Sequence, residues 1–288
     1  TQQHIVNDSV FNSSYGNNPG IFKETDIALD YAQPVDGILL ETGAKTELGD
    51  ITSTSDIYLL DPSADAYTYN GTQSSSLGYK NNVYAGYLSA GFKLYNWLKM
   101  KTGIRYEYTQ INADYSNSGN VQIQPYGTLV PSIILSHSFQ NNQTLKFSYT
   151  RRIQRPKYNN LNPFVNASDP ENITTGNPAL QPEIGDKIEL GYNKILDKGG
   201  NISITLFYRD NTHDIQPYTV YYPTYKIGDS TYNNVSVTTP EDIGHETNIG
   251  TNLFASVPIK SKVNLRSNIS LFQRYINTGI STGGDVNG

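Results

Sequence analysis

Arg151, Arg152 and Arg155 fall close together and are followed by Tyr158 and Asn162. A guanidinium is a planar fork that grips a carboxylate or phosphate through two hydrogen bonds, and a nearby tyrosine can stack on a flat group. On an exposed loop these five residues are candidates for ligand contact. The structural alternative is that the arginines pair with carboxylates of their own protein or with anionic lipopolysaccharide. Pro156, Pro163, Pro170, Pro178 and Pro182 limit backbone freedom and favour an ordered loop. Asn162 and Asn177 each precede a proline and start turns.

Little else in the chain suggests chemistry. His4, His137, His213 and His245 are far apart, without metal-ligand spacing. No nucleophile elbow, phosphate loop, zinc-protease helix or calcium loop is present. Acidic residues are plentiful, but no pair stands out as catalytic, so the chain reads as a non-enzyme with no cofactor. The net charge of −5 offers no basic footprint for nucleic acid, and the absence of Cys excludes disulfides and thiolate metal sites.

The elements that hold the loop are alternating segments. In 98–109, Leu98, Met100, Thr102, Ile104, Tyr106 and Tyr108 face one way, and Lys99, Lys101, Gly103, Arg105, Glu107 and Thr109 the other. The same period appears in 22–34, 38–48, 80–94, 126–139, 144–152, 184–195, 201–209, 246–257 and 262–275. That predicts about ten strands, with residues 1–20, 49–78, 111–125, 153–183, 211–240 and the tail 279–288 as loops. Connections alternate strictly between short and long. Only 36% of residues are hydrophobic, with 23 Tyr against 9 Phe and 1 Trp, and no run is long enough for a transmembrane helix.

Short turns at one end and long loops at the other are the asymmetry of a transmembrane β-barrel, with the short turns periplasmic and the long loops extracellular. A soluble sheet with one wet face has the same alternation, but soluble sandwiches and propellers spread their turn signals more evenly over both ends. Energy orients the strands. A Lys or Arg on the lipid face near the bilayer midplane costs roughly 2–4 kcal/mol, so the Leu/Ile/Tyr row must face lipid. The lumen row then holds Glu41, Lys45, Glu47, Lys99, Lys101, Arg105, Glu107, Lys146, Lys187 and Glu189. Tyr84, Tyr106, Tyr108, Tyr149, Tyr192 and Tyr208 suit an aromatic girdle. With short turns inside, the first and last strands would both end outside, which suggests a partial barrel wall that needs further strands.

The stretch FSYTRRIQRPKYNNLNPFVNASDPENITTGNPALQPEIGDKIELGY (147–192) resembles the outer-membrane β-barrel family of Bacteroidetes TonB-dependent receptors. YKNNVYAGYLSAGFKLYNWLKMKTGIRYEYT (79–109) and NISITLFYRDNTHDI (201–215) resemble hairpins of the same family. The resemblance implies an all-β, antiparallel transmembrane barrel of about 22 strands, of which residues 1–288 form a part. It implies a bacterial outer-membrane receptor that binds and imports a solute, with outer-membrane lipid, a plug domain and the TonB complex as partners. The plug, the TonB-contacting segment and the closing strand of the family pattern are not found in this stretch. A passive porin, an adhesin-like scaffold and a soluble all-β binding protein are the alternatives.

Overall fold

A computed structural model describes residues 2–6, 9–71, 73–116, 119–167, 169–197, 199–228, 230–260 and 263–278. The tail 279–288, expected to be a loop, lies outside the described residues, as do Lys198 and Ser261 of two short turns.

Strands β1 (Gln2–Val6) and β2 (Ser9–Asn17) come first. The next hairpin is β3 (Gly20–Val35) and β4 (Ile38–Asp61), with β5 (Ala66–Tyr69) folding back on β4. Then β6 (Ser75–Tyr95) pairs with β7 (Leu98–Tyr115), which β8 (Gly119–Gln122) joins. Strands β9 (Tyr126–Phe139) and β10 (Gln143–Gln154) follow. The loop beyond holds one helical turn, α1 (Tyr158–Leu161), and β11 (Asn172–Thr174). It leads to β12 (Glu183–Ile195) and β13 (Asn201–Thr212). Strands β14 (Ile215–Ile227) and β15 (Ser230–Asp242) form a separate hairpin before β16 (Gly244–Lys260) and β17 (Val263–Thr278).

The wall runs β3-β4-β6-β7-β9-β10-β12-β13-β16-β17, every neighbour antiparallel. These are the ten segments that alternation marks out. At one end the hairpins close tightly. Asp36 takes a positive φ of 48° after β3, and Asn141 (62°) and Asn142 (57°) do so between β9 and β10. Asp and Asn tolerate this left-handed conformation better than most residues.

Besides the short β11 in 153–183, four stretches expected to be loops contain strands instead. Residues 1–20 hold β1 and β2, and β2 pairs with the far half of β4. Strand β4 continues through 49–61 to a length of 24 residues. Residues 111–125 hold the end of β7 and β8, and 211–240 hold the β14/β15 hairpin. The physical reason is shared. A membrane crossing needs only about 9–11 residues of strand, so these parts project beyond it. Their apolar residues are few and scattered among polar ones, and where they are buried the cover comes from distant loop segments, so the period-two signal is weak although the backbone ladder still holds the strand.

Pairing registers assign each side chain to a face. Leu29, Ala44, Gly86, Tyr106 and Leu129 lie in one row, and Ile188, Tyr208 and Ile249 in another on the same face. Protein does not cover this apolar face: Leu29 is 75% exposed and Leu206 52%. On the opposite face, Tyr87 of β6 passes over β4 and donates to Asp30 of β3 at 2.7 Å. It passes directly over Gly43, where a Cβ would sit 2.5 Å from the Tyr87 ring and 2.6 Å from Asp30 Oδ1.

The packed cores sit at the long-loop end. Leu161 and Leu180 of the 155–182 loop are buried against Leu77, Tyr79, Ile111, Ala113 and Tyr115 of β6 and β7. Those wall residues share the charged face of the sheet, in the rows of Ala85 and Glu107. The loop therefore folds over the charged face. A second cluster, Ala167, Ile173, Val235 and Val237, joins β11 to the β14/β15 hairpin in a separate three-stranded sheet. There β11 runs parallel to β15.

Candidate functional site

The charged face is a set of local ion pairs. Lys45 Nζ lies 3.1 Å from Asp26 and 2.6 Å from Glu47. Lys101 pairs with Glu41, which also accepts from Ser89 Oγ at 2.7 Å. Arg105 meets Glu107 at 2.6 Å and Lys187 meets Glu189 at 2.6 Å. Lys99 and Lys146 flank Ser136 in the same row. The register thus places all ten residues of the expected lumen row on one face. Pairs of both signs, spaced along neighbouring strands, make a wettable wall without a net field of one sign.

The structure separates the five candidate loop residues. Arg155 turns onto the charged face, where it pairs with Glu107 and its Nε donates to Thr109 Oγ1 at 2.9 Å. Arg152 is exposed and shares the row of Lys146. The Tyr158 ring lies 6.1 Å from the ring of Tyr79 on β6. Asn162 Oδ1 accepts the Phe164 N–H at 3.0 Å, closing a side-chain-to-backbone turn before Pro163. Arg151 lies on the other side of the wall. It holds Asp186 through two bonds, 2.9 Å from Nε and 2.8 Å from Nη2, and Tyr149 donates to the same carboxylate at 2.7 Å. Tyr149 and Asp186 share the apolar face with Ile188.

The described histidine side chains do not converge. His213 bonds Asp242 at 2.6 Å and His245 bonds Asp210 at 2.6 Å. His137 sits between Trp97 and Phe139, ring centroids 5.3 and 4.1 Å away, beside the Tyr95–Trp97 stack at the short-turn end. Among the described residues no three His, Asp or Glu side chains are grouped to hold a metal ion.

Sequence reasoning missed a cavity of about 560 Å³ between the 159–176 loop and the base of the β14/β15 hairpin. The amides Asn159, Asn160, Asn162, Asn166 and Gln216 line it. Its loop wall is built by backbone: Gly176 N–H donates to Asn162 O at 2.8 Å, and Asn177 N–H to Asn160 O at 2.6 Å. The two loop segments approach so closely that a Cβ on Gly176 would meet Asn162 O, with Asn160 O at 2.7 Å. Asn177 Nδ2 ties the loop to the hairpin through Glu241 at 3.1 Å. The run of asparagines in YNNLNPFVN was the available signal. Its partner Gln216 is fifty residues or more away along the chain, and no local pattern connects the two.

A wall with one uncovered apolar face, one ion-paired face, tight turns at one end and folded loops at the other is the build of a membrane barrel. The model of the outer-membrane protein β-barrel family matches residues 1–288. The chain belongs to this outer-membrane β-barrel family. In barrels of this build the apolar face meets lipid, the opposite face turns to the interior and the longer loops are extracellular.

Solved structures share the barrel fold. The alcaligin outer-membrane receptor FauA from Bordetella pertussis matches with a TM-score of 0.56 at 21% identity, over 91% of this chain and 42% of that one. The copper transporter OprC matches at 0.62 and 14% identity, over 89% and 38%. The ferric yersiniabactin uptake receptor FyuA from Yersinia pestis matches at 0.62 and 12%, over 92% and 37%. This barrel wall spans less than half the length of each. No curated protein matches the sequence.

Proposed function

We propose that the chain is part of the barrel of a TonB-dependent outer-membrane receptor, which binds a solute outside and imports it. The observation that carries this reading is the inward fold of the extracellular loop. Leu161, Leu180 and Arg155 dock it onto the lumen face at the outer end, so an ordered surface stands over the lumen entrance. The similarity of the wall to uptake receptors for alcaligin and ferric yersiniabactin and to a copper transporter supports a transport role. In this reading Arg152 near the end of β10, and Tyr158 and Asn162 of the loop, are the candidates to meet a solute from the lumen side.

Further strands complete the wall in this reading. Among the described residues β3 pairs only with β4 and β17 only with β16. An open edge in hydrocarbon leaves backbone groups unsatisfied, so each edge requires a neighbour and the full barrel reaches about 22 strands. The mixed-sign lumen row suits a plug domain of the parent protein, and the TonB complex acts through that parent.

The test is nutrient-limited growth of the source bacterium on a panel of iron chelates, copper, cobalamin, peptides and glycans. Deleting the parent gene and deleting TonB should abolish growth on the same nutrient. Growth that needs the barrel but persists without TonB would mean a passive pore and would overturn the active-transport reading.

A further inference from the structure

We propose that the cavity between the 159–176 loop and the β14/β15 hairpin binds a neutral, polyhydroxylated solute, namely a short oligosaccharide. The inference rests on the receptor reading above and names the solute class for its extracellular face.

The lining decides the class. None of the residues around the cavity is Asp, Glu, Lys, Arg or His. An anionic chelate held there would leave its charge uncompensated, and a bare cation would lack carboxylate ligands; both are costly on leaving water. The carboxylates behind the lining are already engaged: Glu241 by the Asn177 amide, Asp214 by the Gln216 amide and Glu183 by the Ile215 N–H, each at 3.1 Å. What the cavity offers is carboxamide. Each Asn or Gln side chain has two donors and an acceptor in one plane, and a sugar hydroxyl both donates and accepts. Asn162 uses its oxygen on the Phe164 N–H, which directs its amino group to act as a donor.

Apolar surface completes the match. Phe164 enters from the loop, and Pro217 and Pro240 from paired positions on the hairpin. Rings of this kind can cover the C–H face of a sugar while amides take its edge. The volume of about 560 Å³ falls within the roughly 300–1,000 Å³ of small-molecule sites. It suits a short oligosaccharide better than a single ion. The wall is also pre-organised: the Gly176–Asn162 and Asn177–Asn160 backbone bonds and the Asn166–Thr174 bridge hold it in shape.

The test uses the full-length receptor purified in detergent. Calorimetry is run against a panel of neutral gluco-, manno-, xylo- and galacto-oligosaccharides, with a ferric catecholate siderophore as the anionic comparison. At least one neutral oligosaccharide should bind. Asn159→Ala combined with Gln216→Ala should weaken that binding about tenfold or more, since two amides are removed, while the heat-modifiable shift of a folded barrel stays intact. Phe164→Ala is the independent second variant and should weaken binding in the same way. If the folded receptor binds no neutral oligosaccharide, or binds one equally well with these residues changed, the proposal is overturned. Binding of the ferric siderophore alone would overturn the neutral-solute proposal and leave the receptor reading standing. TonB-independent growth on the nutrient would overturn the receptor reading itself.

Discussion

Arg155, just beyond the end of β10, is ion-paired with Glu107 in the middle of β7, and this bond fastens the extracellular loop to the lumen wall. Both side chains are largely buried, at 18% and 12% exposure. Removing one partner of such a pair costs about 3–5 kcal/mol when the other charge is stranded. Here Arg105 also holds Glu107, so Arg155→Ala leaves the carboxylate paired and should cost less, about 1–3 kcal/mol, lost chiefly from loop docking. Limited trypsin digestion of the full-length receptor should then cut faster after the exposed Lys157, with the barrel still heat-modifiable. An unchanged cutting rate would show that Leu161 and Leu180 alone hold the loop. Glu107→Ala strands two arginines and should be the more damaging change.

Arg151 is expected to behave differently from Arg155 despite their closeness in sequence. Its partner Asp186 lies on the apolar face of the wall, and the pair is about one-third exposed. Arg151→Ala should leave the affinity for solute within about twofold and lower unfolding stability by about 0.5–1 kcal/mol, the range of well-formed surface pairs. A tenfold loss of solute affinity would place Arg151 in the binding path and contradict its outward orientation.

Leu206 and Thr205 are adjacent on β13 and face opposite ways: Leu206 lies level with Leu190 on the lipid face, and Thr205 with Gly191 on the lumen face. Leu206→Lys should destabilise the barrel by about 2–4 kcal/mol in lipid vesicles, whereas Thr205→Lys should change little. Denaturant titration of the two variants compares them. Equal effects would mean that the faces are assigned wrongly.

Gly176 stands where two loop segments touch. A methyl group there would meet the Asn160 and Asn162 carbonyls, which are backbone and cannot swing aside. Gly176→Ala should break the Gly176–Asn162 and Asn177–Asn160 hydrogen bonds and open the amide-lined cavity. Amide exchange at Gly176 and Asn177 should rise at least about tenfold, one hydrogen bond being worth roughly 1 kcal/mol or more. Exchange elsewhere in β10 and β12 should stay slow.

Asp169 gives the loop a dependence on acid. The Asn172 side chain donates to its carboxylate at 2.9 Å and the Glu171 N–H at 3.0 Å, which hold its pKa below the usual carboxylate value. A lowered folded-state pKa means that this contribution is complete above the unfolded value, about 3.9, and is lost as pH falls through the folded one. Amide exchange at Glu171 and Asn172, corrected for intrinsic rate, should be flat from pH 7 to about 5 and should rise in more acidic buffer. Asp169→Asn should flatten that rise.

Alternation by itself determined the ten wall strands, their antiparallel hairpins and the charged row, because each crossing must show lipid one face and water the other. Residues such as Leu98–Tyr108 carry that requirement locally, two positions at a time. The family stretch at 147–192 marked the barrel's kind for the same reason: its signal is contiguous. Only the tertiary structure decided which arginine faces which side. Arg151 and Arg155 are four residues apart, yet β10 ends between them and the chain turns inward, so Arg155 meets a glutamate 48 residues earlier. The strands beyond the bilayer were hidden because no lipid imposes an apolar face on them, and what they do bury is covered by distant loop segments. The amide cavity was hidden because its two walls meet through contacts between distant parts of the chain, such as that of Asn177 with Glu241, 64 residues apart.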